Sequence, residues 1–207
     1  MDGEGVEVVV PRAFPLREVE PFVEEKRAWI ERTLLRLRET DAELAPAVLA
    51  DGGELPFLGE RLRLIVRVEP ERVRERVARR DGALLVLLPP GTELRAALER
   101  WYRRRAGEEV ARRLDTACGR AGSAHTALQI RGQRTRWASC SSSGAMSFNW
   151  RLLLAPPEIL DYVVEHEVAH LEVLDHSPRF WALLAARCPD WREHEAWLKS
   201  HGHALRL

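Results

Sequence analysis

The sequence predicts an α+β fold, with helices and a small sheet in one domain. Two patterns carry this. Long stretches place apolar residues at helical spacing with charges between them, whereas short β-branched or alternating runs are bounded by Gly, Pro, Asp and Ser. A third observation sets the scale: 207 residues, 45% apolar and 31% charged, describe an ordinary soluble globular chain with room for a buried core. The expected unit is 1–207, a strand-and-helix portion over 1–120 followed by a second portion over 121–207.

Val6 to Val10 is β-branched and stops at Pro11, so it reads as a strand. From about Leu16 to Glu39, Val19, Phe22, Val23, Trp29, Ile30, Leu34 and Leu37 recur at helical spacing. Asp51-Gly52-Gly53 is turn chemistry. Leu62, Leu64, Val66 and Val68 alternate with Arg63, Ile65 and Arg67, as in a strand with one buried face. Asp81-Gly82 leads into a second strand, Ala83 to Leu88, and the two are expected to pair as a hairpin with a long connection. Thr92 opens a helix to about Cys118, ending near Gly119, with charges that alternate as on a solvated face. Strands over Thr126–Arg131, Thr135–Ser139 and Ala145–Trp150 follow, separated by Gly132 and by Ser141-Ser142-Ser143-Gly144. Pro156-Pro157 opens a helix continuing to about Leu174. Ser177-Pro178, an N-cap and a first-turn proline, starts another, and Pro189-Asp190 precedes a last one through Leu198.

Composition narrows the function. Lys+Arg and Asp+Glu both number 32, so wholesale coating of nucleic acid is not expected. No apolar run approaches the roughly 18–20 residues of a membrane span, and no membrane partner is expected. The first residues lack the basic and apolar regions of a signal peptide. Cys118, Cys140 and Cys188 are scattered, with no Cys-x-x-Cys, so the reducing cytoplasm is the expected compartment. Charge is nevertheless uneven. Thr116 to Pro157 holds Arg120, Arg131, Arg134, Arg136 and Arg151 and no acid, whereas Glu158 to the C-terminus is net acidic.

The chemistry concentrates in His166-Glu167-Val168-Ala169-His170. Two histidines at this spacing lie about 40° apart around a helix and one turn along it, so both imidazoles can converge on one ion. Neutral imidazole is a natural zinc ligand, and Glu167 beside the first ligand reaches a water on the metal. This is the His-Glu-x-x-His arrangement of zinc hydrolases. A third ligand is needed. In an unbroken helix His176 would lie about 15 Å beyond His166 and on another face. Asp175 and Ser177-Pro178 predict that the helix ends there, with a reversal around Asp175 that swings His176 back. The spacing equals that of the metzincin motif, with Val173 where that motif has Gly. Glu193 and Glu195 are rival third ligands, while Glu172 points away from the His166–His170 face. With an open fourth position, zinc acidifies a water whose proton Glu167 takes and delivers to the leaving group. Arg136, His194 and Tyr162 are candidates to stabilise the oxyanion. Were Cys140 or Cys188 to fill the fourth position, the site would be structural. Cys140 otherwise reads as a small buried residue, since no pattern calls for a Cys–His pair.

Six segments then carry a resemblance: Arg136-Trp137-Ala138-Ser139-Cys140-Ser141, Ser147-Phe148-Asn149-Trp150-Arg151-Leu152, Ala155-Pro156-Pro157, Asp161-Tyr162-Val163-Val164, the zinc pentapeptide with Leu171, and His176-Ser177-Pro178-Arg179-Phe180-Trp181. Together they resemble the YgjP-like (DUF45) metallopeptidase family, similar in turn to the SprT-like and WLM zincins. The resemblance is dense from about Arg131 to Trp197 and collinear before that, including Val8 to Lys26 and Leu58-Gly59-Glu60. It implies a zincin-like fold with the active-site helix packed on the small mixed sheet. It also implies zinc held by His166, His170 and His176, with Glu167 as the catalytic glutamate. Where the family usually has Gly, this chain has Ala138.

These lines converge on a cytoplasmic zinc-dependent hydrolase, a metallopeptidase acting on a peptide or protein. Arg136, Trp137 and Tyr162 are its candidate substrate-contacting residues, and an edge strand of the small sheet is placed to hold an extended peptide. Two alternatives stay open. One branch of the family carries a UTP pyrophosphatase label, and Arg131, Arg134 and Arg136 suit a nucleoside triphosphate as well as a peptide carboxylate. The other is a zinc-stabilised module that binds DNA or protein without catalysis. Trp137, Trp150, Trp181, Trp191 and Trp197 are expected as core and groove walls rather than a base-stacking platform.

Overall fold

Among the described residues two small sheets and five α-helices make up the fold, and a strand disguised by arginines sets the topology of the first sheet. The computed structural model describes residues 7–11, 13–43, 47–133 and 135–207, without the side chains of 36–43. Strands β1 (Glu54–Phe57), β2 (Glu60–Val68), β3 (Arg76–Arg80) and β4 (Ala83–Leu88) form a sheet in the order β1-β2-β4-β3. The expected hairpin between 62–68 and 83–88 is corrected here: β2 and β4 run parallel, because β3 takes the antiparallel place beside β4. Arg76-Val77-Ala78-Arg79-Arg80 does not read as a strand because it is an edge with mostly exposed side chains, where charge is tolerated and blocks further pairing. Leu62 and Leu64 are buried as expected of one face, but Val68 at the far end of β2 is 61% exposed.

Helix α1 (Val19–Glu43) follows a short 3-10 turn, Leu16–Glu18. Residues 7–10 of the expected first strand form no strand, and Val6 lies outside the described residues. A β-branched run needs a neighbour to pair with, and propensity alone does not supply one. Helix α2 (Leu94–Ala121) runs past Gly119 to Gly122, which adopts the left-handed conformation (φ +62°) suited to a helix stop. Strands β5 (Ala127–Arg131), β6 (Ala138–Cys140) and β7 (Ala145–Asn149) form a mixed sheet in the order β5-β7-β6. β5 is parallel to β7 and β6 antiparallel to it. β6 starts later than expected because the Asn149 amide donates to the carbonyls of Gln133 (2.7 Å) and Arg136 (3.2 Å), holding that approach as a loop. Trp150 leaves β7 for a 3-10 turn, Trp150–Leu154. Then come α3 (Pro157–Ala169), α4 (Pro178–Arg187) and α5 (Trp191–His201), the last one turn longer than expected. α1 packs against α5 and the C-terminal 3-10 turn, leaving Phe22 and Trp29 largely exposed; the Leu37 side chain lies outside the described residues.

One cluster of buried side chains joins both sheets to the helices. Its centre is aromatic: Tyr102 meets Phe57, Trp101 and Trp150 at ring distances of 6.2, 5.0 and 5.7 Å, and its hydroxyl donates to the Pro56 carbonyl at 2.5 Å. Around this core α3 is held at three points. Arg113 of α2 pairs with Asp161 at 2.7 Å, and Arg120 pairs with the buried Glu165. The third hold is the β1–β2 turn, where Leu58 and Gly59 both have positive φ, the geometry that matches hairpin twist. Leu58 N–H donates to the Leu153 carbonyl at 2.8 Å. A side chain at Gly59 would come within 3.2 Å of the Pro157 ring that opens α3.

Gly59→Ala should therefore cost stability through both backbone strain and this contact, about 1–3 kcal/mol. Gly82 shares the positive φ but faces open space, so Gly82→Ala should cost less. Denaturant midpoints of the two variants test this. Equal losses would mean that Gly59 serves only its turn.

Candidate metal centre and cleft

Helix α3 carries His166 and Glu167 on its inner face, with Glu167 only 5% exposed. The helix was expected to continue to Leu174 and reverse around Asp175. Instead it ends at Ala169, and the chain turns over 170–172. The N–H groups of Leu171, Glu172 and Val173 bond back to the carbonyls of Val168 and Ala169. Val173 is buried, and its carbonyl accepts a hydrogen bond from His170 Nδ1 at 3.0 Å. That bond explains the early stop: it draws the chain back under His170 and leaves the other ring nitrogen with a free lone pair. Among the described residues, only Leu58 and Asp81 other than glycines have positive φ, so the reversal needs no glycine and Val173 is accommodated. Asp175 Oδ1 then accepts the Ser177 N–H at 3.2 Å, while the Ser177 side chain makes no capping bond to α4.

The reversal places His176 beside the helix pair. His166 Nε2 and His176 Nε2 are 3.1 Å apart, and the potential ligand atoms of His166, His170 and His176 all lie within 4.8 Å of one another. This is a group able to hold a metal ion. The side chain of Phe180, fully buried, forms its floor, with ring centroids 4.9, 4.5 and 4.8 Å from the three imidazoles. Trp181 flanks His176 at 5.5 Å. Burial, with His170 and His176 beside it, lowers His166 to about 3, so it stays neutral with a lone pair to offer. Burial raises the Glu167 carboxyl to about 8, and its Oε2 has no hydrogen-bond partner among the described residues.

Two adjoining cavities run along β6. One, of about 300 Å³, is bounded by Arg136, Trp137, Tyr162, His166, Glu167 and Glu195. The other, of about 310 Å³, continues past Cys140, Leu174 and the three histidines. Arg136, Trp137 and Tyr162 thus share a cleft with the histidine group. His194 does not, since it lines a different cavity behind Tyr162. Neither Glu193 nor Glu195 joins the group: Glu195 lines the cleft but pairs with Lys199 at 2.8 Å. Glu172 turns away to Arg187. No cysteine joins the group among the described residues, although Cys140 lines the cleft.

The backbone of β6 adds a second feature. Asn149 N–H donates to the Trp137 carbonyl and Ser141 N–H to the Ala145 carbonyl, which places the narrow pairs of the ladder at 137, 139 and 141. The N–H and C=O groups of Ala138 and Cys140 therefore point away from β7, along the open edge of the sheet. Arg131 turns to Gln129, Arg120 to Glu165, and Arg134 lies outside the described residues. Trp150 and Trp191 are buried, Trp181 stacks on Trp191 at 4.5 Å, and Trp197 stacks on His201 at 4.6 Å. Sequence reasoning missed Phe180 as the floor and the Val173 carbonyl as the partner of His170.

A histidine pair on a buried helix, a third histidine beyond a reversal and an adjacent carboxylate are the features of metal-dependent hydrolases. Residues 1–201 match the family model described as YgjP-like, metallopeptidase domain, and the chain belongs to this family. Membership makes it a metallopeptidase, with a metal ion required and peptides or proteins as the substrate class. The chain is also similar to the crystal structure of the metallopeptidase zymogen of Pyrococcus abyssi abylysin. The two are 25% identical, with 43% of this chain and 90% of that one covered and a TM-score of 0.40. No curated protein matches the chain. Among the described residues, no helix is long and apolar enough to cross a membrane.

Cys140 lines the cleft, yet burial, with Glu167 nearby, raises its thiol to about 11. A raised thiol pKa empties the thiolate form at neutral pH, and at pH 8 only about 0.1% remains. Alkylation of Cys140 by iodoacetamide should run on the order of a hundredfold slower than that of a free thiol and speed up as pH approaches 11. Fast labelling at pH 8 would contradict this environment.

Proposed function

We propose that the protein is a zinc-dependent peptidase in which His166, His170 and His176 hold the ion and Glu167 is the general base. The observation that carries this is the convergence of three imidazoles, two of them with Nε2 atoms 3.1 Å apart. Ligand atoms 2.0–2.1 Å from a tetrahedral zinc are separated by about 3.3 Å, so the rings need little movement to bind one. An all-imidazole donor set suits zinc better than the oxygen-seeking Mg²⁺ or Ca²⁺. The bond from His170 to Val173 supports the same reading, because it selects the tautomer and orients the ring. Three protein ligands leave a position for water and substrate, the pattern of catalytic rather than structural zinc.

Bound there, zinc supplies Lewis acidity to a water and to the scissile carbonyl. The chain's own residues do the rest. An extended peptide pairs with the open backbone groups of Ala138 and Cys140. Glu167 takes a proton from the water and passes it to the leaving amine. Burial holds its carboxyl near neutrality, where a base works best, and a neighbouring cation favours the ionised form it needs. Tyr162 and Arg136 face the same space and stabilise the oxyanion. Three unpaired cysteines suit the reducing cytoplasm as its compartment.

Glu167→Gln preserves size and removes the base. It should lower kcat on a peptide substrate by about 10²–10⁴-fold with metal content unchanged. A variant that cleaves at the wild-type rate would remove Glu167 from the mechanism.

A further inference from the structure

Trp137, the residue before β6, and Gly202, the residue after α5, meet beside the cleft. Gly202 opens the C-terminal 3-10 turn (Gly202–Ala204) with φ −58° and ψ −32°, a helical backbone that does not call for glycine. What the position demands is space. A Cβ there would lie 2.7 Å from Cζ2 of Trp137 and 3.3 Å from its Cε2. The surroundings leave the indole as the part that must yield. The Asn149 N–H holds the Trp137 carbonyl at 2.7 Å, Trp197 stacks on His201 at 4.6 Å at the end of α5, and α1 packs against the turn. A side chain at 202 therefore swings the ring rather than moving either backbone.

That ring is one wall of the cavity of about 300 Å³ beside Glu167. Its other apolar walls are Ala138, Tyr162, Val163 and Leu198, and the last three are buried members of the core, fixed by their packing. The charged groups do not compete for this surface: Arg136 and Lys199 are exposed, and Glu195 pairs with Lys199. Such walls suit an apolar side chain. The direction of β6 says which one. The cavity lies at the Thr135–Ala138 end of the open edge, whereas His170 and His176 lie at the Cys140 end. A peptide paired antiparallel, the slightly more stable arrangement, runs with its C-terminal end toward Trp137. The cavity therefore receives the residue that follows the scissile bond, on the side of the leaving amine. We propose that Gly202 is a positioning residue: by seating the Trp137 ring it keeps this cavity wide enough for a large apolar side chain, so that preferred substrates carry Phe, Leu or Met directly after the scissile bond. This rests on the peptidase reading above and adds to it a substrate class and its determinant.

The test is a randomised peptide library digested by the metal-loaded wild type, Gly202→Ala, Trp137→Phe and the double variant, with products read by mass spectrometry. In the wild type Phe, Leu and Met should be enriched directly after the cleaved bond. For a matched pair, kcat/KM should favour Phe over Ala at that position by roughly tenfold. Gly202→Ala should bring this ratio toward one, a readout that a general loss of folded enzyme does not move. Phe lacks the indole edge that meets Gly202, so Trp137→Phe should keep the preference, and adding Gly202→Ala to it should change the ratio by no more than about twofold. Trp137→Phe alone should also admit Trp after the cleaved bond, a result that does not depend on whether Gly202→Ala folds. An unchanged ratio in Gly202→Ala, an equal fall in rate for every peptide, or enrichment before the cleaved bond instead of after it overturns the inference and leaves the peptidase reading standing. No cleavage of any peptide by the metal-loaded wild type overturns both.

Discussion

A helix offers an ion two imidazoles one turn apart, but it cannot offer a third ten residues on unless it stops. That constraint governs the C-terminal half of this molecule. α3 ends at Ala169, the chain folds back over three residues, and His176 arrives 3.1 Å from His166. The bond from His170 to the Val173 carbonyl serves both ends of this arrangement. It fixes the ring of a prospective ligand, and it anchors the reversal that brings in the next one. Phe180, the third residue of α4, then packs under all three rings, so the start of the following helix is part of the same device.

The rest of the fold keeps that helix in place and partly dry. Charge pairs from Arg113 and Arg120 of α2 grip α3 at Asp161 and Glu165. These residues are four apart and lie on one side of the helix, leaving His166 and Glu167 to face the cleft. The β1–β2 turn closes against Pro157 at its first turn. Burial has an electrostatic consequence. It keeps His166 neutral, as a metal ligand must be, and raises Glu167 to about 8, into the range where a carboxylate is a stronger base than an exposed one.

How far this was legible in the sequence depends on whether a feature is local. Pro157 at the start of α3, the His166–His170 spacing and the start of α4 at Pro178 were legible because each is written in adjacent residues. The end of α3 was not. Nothing between Ala169 and Asp175 is a Gly or Pro, and the stop is made by the burial of Val173 and a side-chain bond to its carbonyl. β3 was hidden because an exposed edge strand carries arginines where a buried one would carry apolar residues.

The central claim is that His176, carried round by the reversal, completes a metal site begun by His166 and His170. Elemental analysis of the wild-type protein and of His176→Ala, both purified without added metal, tests it most directly. The account predicts about one zinc per wild-type chain and sharply less in the variant. Full zinc in His176→Ala would contradict it and pass the third position to Glu193 or Glu195.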